Sequence, residues 1–212
     1  MSQLDKLYLA LVIFMLLLLF CFSADSYGQT LSGSGTETDP YLVYDSLDVK
    51  DMRNYSASGG YYFKQMADIS LEAYTSWEPL WSGSQTSNYY DGNNYKIKHM
   101  SITSWTTTTQ RYRGFFSRLT GNERVSNMVF DSCTIDFNIT NYGYEDRVGF
   151  VAADGLTSVP GSATNIRVLN TCVLRIQGRG YRIFAGSIIG SGNTDNCISS
   201  ARIEMDFTGG TD

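Results

Sequence analysis

The chain has 212 residues, enough for one domain with a sizeable core. Only 17% are charged, the net charge is −5, and 15 tyrosines and 20 glycines stand against 3 prolines. So few charges with so many aromatics exclude disorder, and dispersed Lys and Arg in an acidic chain exclude a nucleic-acid footprint. Recurring Gly, Thr, Ser, Tyr and Ile predict β structure rather than a helical bundle.

Leu7 to Phe22 is an unbroken apolar run, preceded by Lys6 and followed by the small residues Ser23, Ala24, Ser26 and Gly28. A charged start, a short apolar stretch and small residues at its end predict a secretory signal peptide over residues 1–28. Cuts after Ala24 or Ser26 are alternatives to the one after Gly28. A spanning anchor needs about 20 apolar residues, more than this run supplies. Phe20 before Cys21 fits a lipidation site poorly.

Residues 29–40 are rich in Gly, Ser and Thr and read as a linker. Leu47, Val49, Met52 and Tyr55 then predict one short amphipathic helix over 45–55, with Asp45 or Ser46 as N-cap and Gly59-Gly60 as its stop. Residues 41–112 are read as a cap and the first turns of the fold. Tyr61–Met66 and Tyr95–Ile102 read as strands, the second alternating along its whole length. Asp91-Gly92-Asn93-Asn94 before it is turn chemistry.

From residue 113 to 212 a pattern repeats. Gly114, Gly149 and Gly186 anchor three segments, 35 and 37 residues apart; Asn127, Asn165 and Asn196 recur 38 and 31 apart, each just before a new strand. Cys133 and Cys172 hold the same place in consecutive repeats. A unit of this kind cannot bury its own apolar face, whereas stacked parallel rungs can. The expected fold is therefore all-β, a right-handed parallel β-solenoid behind a short N-terminal capping helix. Asn at each corner would bond backbone and its neighbours above and below. A β-sandwich is the competing architecture, but hairpin signals between equal strands are few.

Gly33-Ser34-Gly35-Thr36-Glu37-Thr38-Asp39-Pro40-Tyr41-Leu42-Val43 resembles the opening of bacterial surface proteins with GLUG-type repeats. Tyr61–Lys64 with Ala67–Leu71, Trp77-Glu78-Pro79-Leu80, Tyr90–Ile97 and the Gly/Asn repeats continue the likeness over about residues 33–205. The third repeat and the loop 154–163 depart from it. The resemblance implies a parallel β-helix, secreted or displayed on the cell surface in an adhesin-like protein, without a catalytic motif.

Chemistry is sparse. His99 is the only histidine, and no Gly-x-Ser-x-Gly elbow accompanies it. Asp131, Asp136, Glu145, Asp146 and Asp154, near Arg147, Arg175, Arg179 and Arg182, could form a glycosidase or lyase site; a solvated charged face is the expectation. No cofactor, no metal site and no catalytic residue is expected, since cysteine and carboxylate spacings match no ligand pattern. Aromatics are the better lead, because flat rings stack on the apolar faces of sugars. Tyr142, Tyr144 and Tyr181, each in a polar loop, are the candidate ligand-binding residues. Tyr89, Tyr90, Trp105 and Tyr112 also lie near turns, while Trp77 and Trp81 are expected to pack inside. Cys133 and Cys172 are expected as buried, reduced thiols, though an exported protein could bridge them.

The function expected is that of a non-enzymatic surface module that contacts a glycan or host surface, or a display stalk. The alternatives are a polysaccharide lyase or glycoside hydrolase fragment on a β-helix, and a phage tail fibre or spike. Export argues against the phage reading. The final strand, Ile203–Phe207, is expected to be continued by further sequence or covered by a partner.

Overall fold

The computed structural model describes residues 31–55, 59–81, 87–103, 112–119, 122–139, 145–155, 162–178 and 182–206. The chain divides into two units, Met1–Thr30 and Leu31–Asp212, and the described residues all belong to the second. The apolar leader therefore lies outside them. Among the described residues no helix is long and apolar enough to cross a membrane.

The fold is all-β with parallel sheets and one short helix. Every pairing between its strands is parallel. The first sheet has six strands: Tyr41–Val43, Tyr62–Gln65, Tyr89–Asp91, Arg124–Ser126, Ala163–Thr164 and Thr194–Asp195. The second runs Ile69–Ser70, Lys96–Lys98, Val129–Asp131, Arg167–Val168 and Ile198–Ser199. The third holds Ser101–Ile102, Thr134–Ile139, Val173–Gly178 and Arg202–Asp206. A fourth holds Tyr112–Arg113, Glu145–Val148 and Arg182–Ala185, and a fifth Phe116–Leu119 and Ala152–Gly155. From Arg124 to Gly155 the chain visits the five sheets in turn, then re-enters the first at Ala163, beside Val125.

Short strands suffice because one residue in two faces inward. In Tyr62–Gln65, Phe63 and Gln65 are buried while Tyr62 and Lys64 are only half-buried. The inward residues form one continuous core that includes Phe63, Tyr90, Phe115, Phe116, Phe130 and Phe150. Trp77 and Trp81 belong to it. Trp77 stacks on Phe115 at 5.5 Å and donates Nε1–H to the Phe115 carbonyl at 3.1 Å; Trp81 stacks on Phe116 at 4.2 Å.

The corner between the first and second sheets is built on asparagine. Asn127, Asn165 and Asn196 adopt φ of 54°, 54° and 48°, a left-handed conformation that Asn tolerates better than other side chains. Their amides link the turns. Asn196 Nδ2 donates to Asn165 Oδ1 (3.4 Å), Asn165 Nδ2 to Asn127 Oδ1 (2.6 Å), and Asn127 Nδ2 to Asp91 Oδ1 (2.8 Å). Gly114, Gly149 and Gly186 share a second column: Gly149 N–H donates to the Arg113 carbonyl and Gly186 N–H to the Val148 carbonyl, each at 3.0 Å.

Helix α1, Ser46–Asp51, continues as a 3₁₀ turn, Met52–Tyr55. The Asp45 carboxylate caps it by accepting from Leu47 N (2.8 Å) and Asp48 N (3.0 Å), two of the donors a helix start leaves unpaired. Val49 and Met52 are buried, but Leu47 is 56% exposed and does not share their face.

Two expectations need correction. Tyr95–Ile102 is not one strand: it breaks at His99, whose φ is 55°, into Lys96–Lys98 and Ser101–Ile102. The corner shifts the alternation, so Ile97, Met100 and Ile102 all point inward. Residues 31–40 are not a free linker either. Leu31 is buried, Ser32 bridges Leu42, and Ser34 N–H donates to the Asp39 carboxylate at 2.9 Å. Local turn bonding folds this Gly/Ser-rich stretch against the first sheet.

Candidate functional site

The outward residues of the first sheet form two columns. Parallel register sets Tyr62, Tyr89 and Arg124 side by side in one, and Lys64, Asp91 and Ser126 in the other. The Tyr62 and Tyr89 rings lie 4.4 Å apart and 4° from parallel, a single aromatic block held by adjacent strands. The 34–39 turn stands against this face, tied to it by the bond from Tyr62 N–H to the Gly35 carbonyl (2.9 Å). Together they bound a cleft of about 400 Å³ with Glu37, Thr38 and Pro40 on one wall. That volume is in the range of small-molecule sites.

The polar groups of the cleft are of both signs. The Asp91 carboxylate is engaged by Asn93 N–H (2.9 Å) and the Asn127 amide (2.8 Å), so the Asn column braces one wall. Arg124 Nη1 donates to the Glu123 carbonyl at 2.8 Å. Lys64 has no side-chain partner among the described residues. Partial desolvation, then the Glu37 carboxylate and the Tyr89 hydroxyl, raise the Tyr62 phenol above its ordinary value. Tyr62 thus stays a neutral hydroxyl at physiological pH. The arrangement offers an aromatic block, two cationic donors, carboxylate acceptors and hydroxyls, a set suited to a polyhydroxylated ligand.

Tyr142, Tyr144, Tyr181 and Trp105 lie outside the described residues. Tyr90 is buried beneath the cleft, its hydroxyl donating to Gln65 Oε1 at 3.0 Å, and is not available to a ligand. Tyr112 packs under the Arg118 guanidinium at 4.9 Å. Of the aromatics near turns, Tyr89 reaches the cleft, and parallel register brings Tyr62, from within the Tyr62–Gln65 strand, beside it. The signal for both was present: Tyr61-Tyr62-Phe63 and Tyr89-Tyr90 each place a tyrosine one position before a buried aromatic.

His99 offers no relay geometry. Ser70 Oγ lies 3.1 Å from its Nδ1, and the nearest Glu72 oxygen lies 4.0 Å from the same nitrogen. A Ser-His-carboxylate relay needs its two partners on opposite ring nitrogens. The carboxylates singled out in the sequence are committed to cations. Asp131 binds Lys96 (2.8 Å), Asp136 binds Arg175 (2.7 Å), Asp146 binds Arg113 (2.5 Å), and Glu145 and Asp154 share Arg147 (3.2 and 2.5 Å). The Lys96 ammonium, with the Thr171 and Ser132 hydroxyls, holds the Asp131 carboxyl down at about 2. Among the described residues no group of three or more His, Cys, Asp or Glu could hold a metal ion.

Cys133 and Cys172 sit next to each other across the third sheet, Val173 N–H donating to the Cys133 carbonyl at 2.9 Å, and both are free thiols. The hydrogen bond with Cys172, reinforced by burial, pushes the Cys133 thiol well up. Cys133 accordingly behaves as an inert core residue rather than a nucleophile.

No protein-family model matches the chain. Over 132 residues it is 30% identical to a protein of Evansella cellulosilytica named a Gly-rich membrane protein, a match that takes in 55% of this chain. It covers only 15% of that protein, so the chain spans a small part of its relative's length. A crystal structure from Bacteroides ovatus, described as an immunoglobulin A1 protease, aligns with 82% of this chain and 79% of that one, at 16% identity and a TM-score of 0.41. A likeness at that level carries no argument about this chain's fold or activity.

Proposed function

We propose that the chain is an exported, non-enzymatic β-solenoid module of an adhesin-like bacterial surface protein, and that it holds a glycan in the cleft over Tyr62 and Tyr89. The observation that carries the binding reading is the parallel Tyr62–Tyr89 pair beside Lys64 and Arg124 in one cleft. The solenoid reading is supported by the return of the chain to each parallel sheet in a fixed order and by the Asn and Gly columns. It takes the module as right-handed and of the GLUG-repeat type, behind a signal peptide at residues 1–28. An envelope location accords with the description of the Evansella relative as a membrane protein.

A glycan-array screen of residues 31–212 tests the reading, with Tyr62→Ala and Tyr89→Ala variants run beside the parent protein. Stacking worth about 1 kcal/mol per ring gives each single variant about fivefold weaker binding, and the double variant a larger loss. Binding that survives both changes, or no binding by the folded protein, rejects the cleft as a glycan site.

A further inference from the structure

On the outer faces of the sheets, cations are matched with carboxylates on neighbouring strands. Lys96 reaches Asp131 at 2.8 Å, and Arg175 reaches Asp136 at 2.7 Å. The cleft over Tyr62 and Tyr89 breaks this pattern. Asp91 lies on the strand between those of Lys64 and Arg124. Its Oδ1 is taken instead by the Asn93 N–H (2.9 Å) and the Asn127 amide (2.8 Å). Among the described residues, neither Lys64 nor Arg124 has a carboxylate partner. Arg124 is nevertheless oriented: its Nη1 donates to the Glu123 backbone carbonyl at 2.8 Å. That bond leaves the guanidinium edge made by Nε–H and Nη2–H, two donors in one plane, which match the two oxygens of a carboxylate. In the outward column Arg124 follows Tyr89 by one strand step, about 4.8 Å. A carboxyl group borne on a sugar ring can span that step. The cleft's own carboxylates compete weakly, since Asp91 is held by two N–H donors and Glu37 is exposed, where water and salt screen it.

We propose that the cleft selects a carboxylated sugar, a uronate or a related sugar acid. Its ring lies on Tyr62 and Tyr89, its carboxylate on the free edge of Arg124, and Lys64 supplies a second cationic contact. This inference rests on the glycan reading of the cleft and adds the charge class of the ligand. It also gives the Asn column a part in recognition. By engaging Asp91, Asn127 keeps that carboxylate from neutralising the two cations, which stay open to a ligand.

The test uses the compact Leu31–Asp212 unit, which holds the whole described core. Isothermal titration is run with oligosaccharides of galacturonate, glucuronate and mannuronate. Each is paired with the same oligosaccharide after reduction of its carboxyls to primary alcohols, and a sulfated form of the reduced sugar is the third arm. At least one acidic form is expected to bind about tenfold more tightly than its reduced form, the worth of one hydrogen-bonded charge contact. Arg124→Gln is expected to bring the acidic form down to the level of the reduced one, leaving the reduced form's affinity and the circular-dichroism spectrum unchanged. Lys64→Gln is expected to give a smaller loss of the same kind, whereas Tyr62→Ala weakens both forms alike. Equal binding of acidic and reduced forms, both weakened by Tyr62→Ala, overturns the carboxylate assignment and leaves the stacking reading in place. A preference for the acid that survives Arg124→Gln, or a preference for the sulfated over the carboxylated sugar, overturns it as well. Binding of no form by the folded protein rejects both this inference and the glycan reading beneath it.

Discussion

Replacing Asp146 by alanine is expected to cost about 3–5 kcal/mol of folding stability, the range for breaking a buried ion pair from one side. The pair it forms with Arg113 is the most enclosed ion pair among the described residues: side-chain exposures are 11% for Arg113 and 4% for Asp146, with oxygen and nitrogen 2.5 Å apart. The guanidinium also lies 4.1 Å from the centre of the Phe137 ring, and its Nε is buried without a partner. Removing the carboxylate would strand a cation that has little water to turn to. A domain stable by about 5–15 kcal/mol would lose a large share of its margin. Urea unfolding measures the loss. The paired change Arg113→Met with Asp146→Leu is expected to recover most of it, since apolar residues of similar volume commonly replace a buried pair without penalty. A loss under about 1 kcal/mol in the single variant would mean that water reaches the pair.

Gly149→Ala is the second change with a large expected effect. A Cβ there would lie 2.6 Å from the Ala152 and Ile188 carbonyl oxygens and 2.7 Å from the Ile189 Cα. All three are backbone atoms held by neighbouring strands and turns, so no side chain can swing aside. Overpacking of this kind costs up to about 3 kcal/mol or more. Gly60 is the matched control: its φ is 83° and nothing lies within 4 Å of an added Cβ. Gly60→Ala should therefore cost only the left-handed backbone penalty of about 1–2 kcal/mol. Thermal unfolding of both variants separates crowding from backbone strain, and equal losses would contradict the packing account.

Much of this frame is legible from the chain. The period-2 pattern of Tyr62–Gln65 and the helix cap at Asp45 are local properties, set by alternation and by short side-chain bonds. The spacing of Asn127, Asn165 and Asn196 marks one recurring corner, because left-handed backbone favours the same residue type each time. What the chain hides is where a corner falls without such a marker. His99 adopts a left-handed turn in a stretch that alternates well, so the alternation alone does not show that Ile97 and Met100 share the inward side. The Gly/Ser-rich 31–40 segment was hidden likewise, since its order comes from Leu31 burial and from the Ser34–Asp39 bond.

The site was only half legible. Tyr89 stood out near a turn, but its partner Tyr62 lies 27 positions away, and only register between parallel strands brings the rings together. Asp131, Asp136, Glu145, Asp146 and Asp154 cluster in sequence, but stacking hands Asp131, Asp136 and Asp146 to cations on neighbouring turns, and Arg147 serves both Asp154 and Glu145, the latter on its own strand. Their proximity along the chain serves cohesion.

The cleft exists because parallel strands in register set Tyr62 beside Tyr89 and Lys64 beside Asp91. That register is the central claim, and a distance measures it. The second outward column runs Lys64, Asp91, Ser126, Thr164, Asp195, one strand per step. Four steps at the spacing of neighbouring strands put the Cα atoms of Lys64 and Asp195 about 19 Å apart. Nitroxide labels on Lys64→Cys and Asp195→Cys, in a Cys197→Ser background diluted with unlabelled protein, report that separation by pulsed electron spin resonance. One narrow distribution near 19 Å, widened by the label arms, is the predicted result. A separation more than twice as long, or no single maximum, would contradict the stacked register and with it the site.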